Sequence, residues 1–475
     1  MTESKILNID FSQVEAHEEQ WAKLAETNEG LKKILKRVNK PGKALIFSHD
    51  DPDGITSGLI CKRMLIKKGW QVKHFMPEGF KLQPEQFEKA LKEFPEAECA
   101  FLLDKGTADA DDFIAKKMPC FVVDHHPGVV LPKKNVYFNP GATNYVQCSG
   151  SVLVHGISVL AGTRDEFDDL LALIGLKGDW AIMPIAGACA EFVKPFFKKY
   201  ALKQFKSLFK FVKERPTMFD ASQRSGTTVI SLISEIIHGC GGGGFSYFYN
   251  DREKSLKNVL HPDLCAAALE SLADKVADVK KVKNVNDFFA LLPKKILTPM
   301  LKIWNYFLAD WDKASDMLNS SVRTLKLEDT SIYLFVGPKV PLLPMIGSIK
   351  LFDLKEAGQD KLAQIIMVSK VSDNYTHVSV RATGPRVHSG MICNELQDSL
   401  RERYPESRQF ISGGGHPVAA ECTVKTDKVS FLQVLTRVTE VLTEMDNMDK
   451  LASTKKGLNA KQKARAKQIG LDYLK

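Results

Sequence analysis

The chain has 475 residues, of which 44% are hydrophobic and 26% charged, enough to bury two or three cores without help from disulfides. Lys and Arg number 66 against 57 Asp and Glu, a formal charge of +9, which biases the surface toward an anionic partner, nucleic acid first. Nine scattered cysteines form no Cys-x-x-Cys pair, which argues against a thiolate zinc site and a disulfide framework; no apolar run reaches the roughly 18 residues of a spanning helix and residues 1–20 lack a signal-peptide core, so a cytoplasmic protein with no membrane partner is expected.

Residues 1–40 read as helical, with Leu31, Ile34, Leu35 and Val38 at helical spacing, until Pro41-Gly42 breaks the pattern. Short apolar runs at 44–47, 72–76, 99–103 and 120–123 read as strands, alternating with helices at 55–68, 84–94 and 108–117. This alternation implies a parallel sheet covered on both faces. Residues 149–240 read as mostly helical, the run 239–244 with its five glycines as a loop or hinge, and 251–325 as a helical insert without a strand. A second α/β segment begins near Thr330, with strands expected at 331–336, 346–352, 363–371 and 377–382 and helices at 391–403 and 431–445. The last 27 residues, 449–475, carry eight Lys and Arg against two Asp and read as a basic tail, solvated or helical only when bound.

Chemistry-bearing residues gather at strand ends. Ser48-His49-Asp50-Asp51-Pro52-Asp53-Gly54 stands where a strand gives way to a helix, the edge at which parallel α/β sheets bind ligands. Were the segment extended, His49, Asp51 and Asp53 would share one side and Asp50 the other. Three such groups on one face call for a cation, although an Asp-rich helix cap is an equal reading of this segment alone. Asp104 follows the apolar run 99–103, and Asp124-His125-His126-Pro127 follows 121–123, so that three successive strands end in acids or imidazoles. Asp179, in Gly175-Leu176-Lys177-Gly178-Asp179-Trp180, lies between two apolar helical stretches and by itself reads as a helix N-cap.

Together these residues offer carboxylate oxygen and imidazole without thiolate, a set suited to Mn²⁺ or Mg²⁺, Mn²⁺ first, and open to other divalent metals. There are more of them than one ion needs. Two ions roughly 3.5–4 Å apart and sharing one carboxylate would use them all, clamp a phosphoryl group and lower the pKa of a bridging water. Near the C-terminus, Gly413-Gly414-Gly415-His416 reads as a flexible loop or an anion-contacting one, and Arg381 on the neighbouring strand suits phosphate.

In order, His49-x-Asp51-x-Asp53-Gly54, Asp104, Asp124-His125-His126 and Asp179 resemble the four motifs of the DHH phosphoesterase family. Gly413-Gly414-Gly415-His416, with Val378-Ser379-Val380-Arg381 upstream, resembles that family's associated C-terminal domain. The resemblance spans roughly residues 41–185 and 330–425. It implies an α/β protein built from an N-terminal helical segment (1–40), a parallel-sheet DHH domain (41–245), a helical insert or linker (246–327), a smaller C-terminal α/β substrate-binding domain (328–448) and the basic tail (449–475), with the active site in the interdomain cleft. It further implies that His49 and Asp51 bind one metal, that Asp53, His125 and Asp179 bind a second, and that Asp104 bridges both. Asp124 would orient the histidine pair, His126 would face the scissile phosphate, and Arg381, Gly413, Gly414, Gly415 and His416 would grip the nucleotide.

Within the family the chain looks most like RecJ-type single-strand exonucleases of the archaeal-like form, since it keeps the first-motif histidine and a helical insert. The implied activity is two-metal hydrolysis of single-stranded DNA or RNA with a bridging water as nucleophile, in DNA repair, with short oligonucleotides as further substrates and replication or repair proteins as added partners. A further C-terminal domain the size of an oligonucleotide-binding barrel is not expected, which leaves substrate length, polarity and sugar open. The alternative is a small-substrate phosphodiesterase or phosphatase acting on nanoRNA, phosphoadenosine phosphate or cyclic dinucleotides. A manganese pyrophosphatase would lack the Gly-Gly-Gly-His run. A non-catalytic replication scaffold of this fold would have lost ligands, whereas every ligand position is filled here.

Overall fold

The computed structural model describes residues 9–78, 82–105, 111–126, 135–141, 146–185, 187–212, 214–220, 226–242, 247–320, 323–327, 330–338, 340, 342–356, 362–454, 456–471 and 473–474. It divides into two compact units, Met1–Phe307 and Leu308–Lys475. No helix among the described residues is long and apolar enough to cross a membrane.

The first unit opens with α1 (His17–Thr27) and α2 (Glu29–Val38). Asn28 caps α2 by accepting from the Leu31 amide, and Leu31, Ile34 and Val38 form its buried stripe. There follow β1 (Lys43–Ser48), α3 (Pro52–Lys67), β2 (Gln71–Phe75), α4 (Pro84–Glu93), β3 (Cys99–Leu103), α5 (Asp111–Ala115), β4 (Cys120–Val123) and β5 (Val136–Phe138). Residues 108–110 of the helix expected at 108–117 lie outside the described residues. The strands stand in the order β2-β1-β3-β4-β5, all paired parallel, as the alternating pattern predicts. Parallel pairs require crossovers, and the crossovers cover the faces, so β3 and β4 are buried along their whole length. The order reverses between β1 and β3. That reversal opens a crevice at the carboxyl ends of these strands.

Beyond the sheet come α6 (Gly150–Leu160), α7 (Glu166–Gly178), a hairpin of β6 (Ile182–Met183) and β7 (Ala188–Cys189), α8 (Lys194–Phe196), α9 (Leu202–Phe205), β8 (Phe211–Val212), β9 (Thr227–Thr228) and α10 (Val229–Gly241). The glycine run expected as a loop is helical through Gly241, and Gly242 ends the helix at φ 106°. Its glycines serve close packing. A Cβ on Gly239 would stand 2.7 Å from the Phe307 ring, and one on Gly241 3.1 Å from the Asp50 carbonyl. Gly243 and Gly244 lie outside the described residues. The insert supplies α11 (His261–Glu270), α12 (Val276–Val279), α13 (Val285–Ala290) and α14 (Lys294–Ser320), and the division between units falls inside α14.

The second unit carries β10 (Arg323–Lys326), β11 (Thr330–Pro338), α15 (Leu343–Glu356), β12 (Leu362–Ser372), β13 (Tyr375–Ala382), α16 (Ser389–Arg403), β14 (Ile411–Gly415), β15 (Ala419–Val424), α17 (Phe431–Ala452) and α18 (Ala460–Gln468). Its sheet runs β10-β11-β12-β13-β15-β14. Three expectations are corrected here. Residues 346–352 are helical, because β11 and β12 pair parallel and the chain between them must cross over. A strand, β10, closes the supposedly strand-free 251–325 segment by pairing with β11. The basic tail is a folded element: Asn459 and Gln462 form a capping box, Ala466, Ile469 and Leu471 are fully buried in the unit's core, and Arg465 pairs with Glu395 and Glu444.

Ile469→Ala is therefore expected to cost about 2–4 kcal/mol in urea unfolding; an unchanged midpoint would return this segment to a solvated end. A second consequence concerns acid. His17 is buried, with neither ring nitrogen hydrogen-bonded among the described residues, 5.0 Å from the Tyr200 ring and 5.6 Å from that of His155. Burial, then the charge of His155, brings its pKa down from 6.5 to about 3. The unfolded chain takes up this proton first as pH falls, so stability is full above 6.5 and is lost between 6.5 and about 3. His17→Leu forfeits no hydrogen bond. Its urea midpoint should match or exceed the wild type at neutral pH and fall less steeply on acidification; an unaltered acid slope would contradict the assignment.

Candidate metal centre

The turn from β1 into α3 builds the first part of the site. Asp51 is the N-cap: its Oδ1 accepts from the Gly54 amide at 2.8 Å, while its Oδ2 lies 3.1 Å from His49 Nδ1. One oxygen thus caps the helix and the other faces the imidazole, so the two readings of this segment are both realised. Gly54 is required, because a Cβ there would stand 2.4 Å from the His49 carbonyl oxygen. The extended alternation expected for this segment stops at Asp51. Asp53 sits in the first turn of α3, where its carboxylate accepts from the Gly150 and Ser151 amides at 2.5 and 2.9 Å. The amino end of α6 thereby holds a fully buried anion.

Asp104 follows β3 in the left-handed region, φ 54°, and its amide donates to the Val123 carbonyl at 3.0 Å. Asp124 follows β4 and is anchored in the same way, its amide donating to Phe138 at 3.1 Å. His125 Nε2 lies 3.1 Å from Asp104 Oδ1, 2.9 Å from Asp179 Oδ2 and 3.8 Å from Asp53 Oδ2. His126 Nδ1 lies 2.8 Å from Asp124 Oδ1 and 3.7 Å from Asp104 Oδ1. Asp179 is not the N-cap its flanking sequence suggests. It caps the carboxyl end of α7, its amide donating to Gly175, and the next residue, Trp180, turns at φ 59°.

These side chains form three overlapping groups whose ligand atoms lie within 4.8 Å of one another: His49, Asp51 and Asp104; Asp53, His125 and Asp179; and Asp104, Asp124, His125 and His126. Asp104 and His125 each belong to two of them. Asp50, which belongs to none, is buried with its Oδ1 3.4 Å from His49 Nε2.

The electrostatics call for a cation. Burial, then the charges of Asp53 and Asp51, holds the Asp104 carboxyl well above the usual range. Burial, then Asp179, pushes Asp53 up to about 7. Burial would lower His125, but Asp179 and the bond to Asp104 outweigh it and raise the imidazole well above its usual value. Asp104 Oδ2 and Asp124 Oδ2 are buried and accept no hydrogen bond among the described residues. Orphaned carboxylate oxygens of this kind are what a divalent ion satisfies, and the oxygen-plus-imidazole donor set fits one.

Some neighbours of the centre gave no sequence signal. His238, alone on the apolar helix α10, is buried within the electrostatic reach of Asp51 and His49, and burial lowers its pKa to about 4. Lys105 is fully buried, its Nζ donating to the Pro77 carbonyl at 3.0 Å, and burial brings it down to about 8 against the pull of Asp50 and Asp104. Lys177, two residues before Asp179, donates to the Ile182 and Phe219 carbonyls at 3.3 and 2.9 Å and pairs with Asp220 at 3.1 Å. It closes the turn that aims Asp179.

The second unit revises its part of the expectation. Arg381 is buried in the sheet, with Nη2 2.9 Å from Glu421 Oε1 and Nη1 donating to the Val380 and Ala420 carbonyls at 3.0 and 3.1 Å. Its charge is matched inside the fold, so it is not the exposed phosphate ligand its residue type suggests. Gly413, Gly414 and Gly415 are strand residues of β14, not a loop. A Cβ on Gly413 would stand 2.4 Å from the Cys393 carbonyl, so glycine lets α16 pack directly on the strand. The Gly413 amide donates to Gln397 and that of His416 to Ala419, at 2.9 and 2.8 Å. The exposed side chain of His416 follows in the turn to β15.

A switch-point sheet whose strand ends gather acids and imidazoles around sites for divalent cations defines a metal-dependent phosphoesterase. Residues 43–174 match the family described as DHH family, N-terminal domain. It is similar to an uncharacterized protein of Methanocaldococcus jannaschii, 24% identical over 467 residues, covering 89% of this chain and 98% of the relative. Among solved structures, a DHH domain described as a member of a family of ribosomal proteins is 16% identical at a TM-score of 0.53, covering 92% of this chain and 93% of that one. The exonuclease RecJ bound to manganese is 15% identical at a TM-score of 0.49, covering 92% and 96%.

Removing the buried lysine tests the support of Asp179. Lys177→Met strands Asp220 uncompensated and is expected to cost about 3–5 kcal/mol in denaturant unfolding. Adding Asp220→Asn should recover part of that loss; equal stability of wild type and single variant would show that the pair does not anchor the turn.

Proposed function

We propose that the chain is a phosphodiesterase that hydrolyses single-stranded nucleic acid in the manner of RecJ-type exonucleases, with two divalent cations, Mn²⁺ ahead of Mg²⁺. One observation carries the reading: Asp104 groups with His49 and Asp51, lies 3.1 Å from His125 of the Asp53–His125–Asp179 group, and keeps a buried oxygen without a hydrogen bond among the described residues. His49 and Asp51 would hold one ion, Asp53, His125 and Asp179 the other, and Asp104 both. When bound, such a pair supplies positive charge to the phosphoryl oxygens and lowers the pKa of water at neutral pH.

The chain's own residues do the rest. Asp53 needs its two amide donors to stay ionised at the amino end of α6. For Asp124, burial is outweighed by His126, which keeps the carboxyl below its usual range. An ionised carboxylate only accepts, so His126 Nδ1 donates to it, and the half-exposed ring presents Nε2 as the atom for the scissile phosphate. In the second unit His416 supplies the side-chain grip on the nucleotide, and Gly413–Gly415 hold its strand in place. The substrate class rests on the first-motif histidine, the helical insert and the formal charge of +9.

The test uses purified protein with Mn²⁺ on end-labelled single-stranded DNA and RNA, dinucleotides and cyclic dinucleotides in parallel. Progressive shortening of the strands is expected, with Asp104→Asn slower by on the order of a thousandfold and depleted of metal by elemental analysis. Near-normal turnover in Asp104→Asn would refute the shared-ligand role. Cleavage confined to the small substrates would refute the strand assignment.

A further inference from the structure

A second, strongly basic surface lies on the first unit, apart from the metal centre. Between Glu191 and Glu214 the sequence holds seven lysines and no acid, interleaved with aromatic residues. The fold separates the two classes. Phe196, Phe197, Tyr200, Phe205 and Phe209 are buried, while Lys198, Lys199, Lys203, Lys206 and Lys210 are exposed. Among the described residues, Lys194 pairs with Glu191 and Lys199 with Glu18. Lys203, Lys206 and Lys210 have no acid partner among the described residues. The 206–210 stretch is joined to a second basic run by Ser207 Oγ, which donates to the Lys280 carbonyl at 2.6 Å. There Lys280 pairs with Glu166 and Lys281 with Asp278, while the Lys283 amide donates to Asp287 at 2.9 Å and its ammonium has no ion-pair partner among the described residues.

Two helices measure how far this surface lies from the metal centre. α7 begins at Glu166, beside Lys280, and ends at Asp179. α10 begins at Val229, whose amide donates to the Lys210 carbonyl at 3.3 Å, and ends at Gly241, past His238, which lies within the electrostatic reach of Asp51 and His49. α7 is 13 residues long, about 20 Å at 1.5 Å per residue, and the stretch of α10 from Val229 to His238 about 14 Å. By these rulers the lysines stand about 14–20 Å from the ligand cluster.

We propose that Lys203, Lys206, Lys210 and Lys283 form a landing surface for the sugar-phosphate backbone of a nucleic-acid strand whose end occupies the metal centre. The inference rests on the proposed function above and adds a substrate-length requirement to it: only a strand several nucleotides long reaches the lysines. A membrane fits poorly, because the aromatic residues of this segment are buried and none of the exposed large apolar side chains, Ile66, Leu260, Leu301, Phe410, Val418 and Leu432, belongs to it. What remains is charge without apolar contact, the signature of backbone binding that is indifferent to sequence.

The test is a triple substitution, Lys203→Gln, Lys206→Gln and Lys210→Gln, in the full chain. Binding of a labelled single strand of about 20 nucleotides is followed by fluorescence anisotropy in EDTA across a salt series. The slope of log affinity against log salt should fall by about 2, since each lysine on a single strand contributes about 0.7, and affinity at ~0.1 M salt should drop about tenfold or more. Manganese-dependent hydrolysis of bis(p-nitrophenyl) phosphate should be unchanged. Wild-type affinity and slope in the triple variant would overturn the proposal. So would a wild type that binds no strand, or one that binds polyglutamate as tightly as DNA, which would assign the surface to an acidic protein. Failure of the two readings is distinguishable. Ester hydrolysis without strand binding removes the landing surface and keeps the phosphoesterase; lysine-dependent strand binding without hydrolysis of any phosphodiester keeps the surface and removes the catalytic reading.

Discussion

Burying Asp53 and Asp104, with the half-buried Asp179, around one imidazole is unfavourable unless positive charge is supplied, and much of the first unit is arranged around that demand. Part of the charge is built in. The amino end of α6 holds Asp53 through two amides, and His125 lies between Asp104 and Asp179. This is not enough, since Asp53 and Asp104 still sit above the usual carboxylate range. The deficit is the physical argument for cations, and it does not depend on any likeness to another protein. Close approach of backbone is the other requirement. A Cβ on Gly175 would stand 2.4 Å from Thr56 Oγ1 and 2.7 Å from Asp53 Oδ1, and one on Gly150 3.0 Å from the Asp104 Cβ. With Gly54, these glycines let three helices meet around one carboxylate.

The parts of the site that were legible in the sequence are those written locally. An acid or imidazole directly after an apolar run marks a strand end whatever the rest of the chain does, so His49, Asp104, Asp124 and His125 could be read as neighbours once the sheet was recognised as parallel. Asp53 shows the limit. Its partners Gly150 and Ser151 lie 97 and 98 residues away, and nothing near Asp53 announces them. Asp179 was legible only as a member of an ordered set, because an aspartate next to a helix is ordinary. The same blindness explains Arg381. Its residue type suits phosphate, but the carboxylate of Glu421, 40 residues on, sits on the next strand and takes the charge.

Residues 346–352 form an apolar run that periodicity cannot divide between strand and helix; the parallel pairing of β11 with β12 decides it. The C-terminal segment was read through its eight basic residues, yet Ala466, Ile469 and Leu471 decide its fate, because full burial of a few apolar side chains outweighs a solvated charge on the opposite face. The glycine run at 239–244 misleads for a different reason. Glycine marks turns, but it also marks places where a helix must come close to another chain segment, and only the neighbours Phe307 and Asp50 reveal which.

Rigidity of the metal centre is supplied by polar groups that stand well away from it. The short 3-10 turn Met218–Asp220 is held from both sides: Asp220 pairs with Lys177 of α7, and the Met218 amide donates to Glu235 of α10 at 2.9 Å, where Glu235 also pairs with Arg215. Thr227 completes the bridge by donating to Asp220 Oδ2 at 2.5 Å, one residue before the cap of α10. Buried ion pairs of this kind add little net stability, but they fix the two helices relative to each other. Those helices deliver Asp179 to one side of the ligand cluster and His238 to the other, so a small slip between them would change the separation of carboxylates on which two-cation binding depends. The same fixed pair carries the basic surface at its amino ends. A strand bound there is therefore registered against the metal centre by two helical spacers, without a moving part.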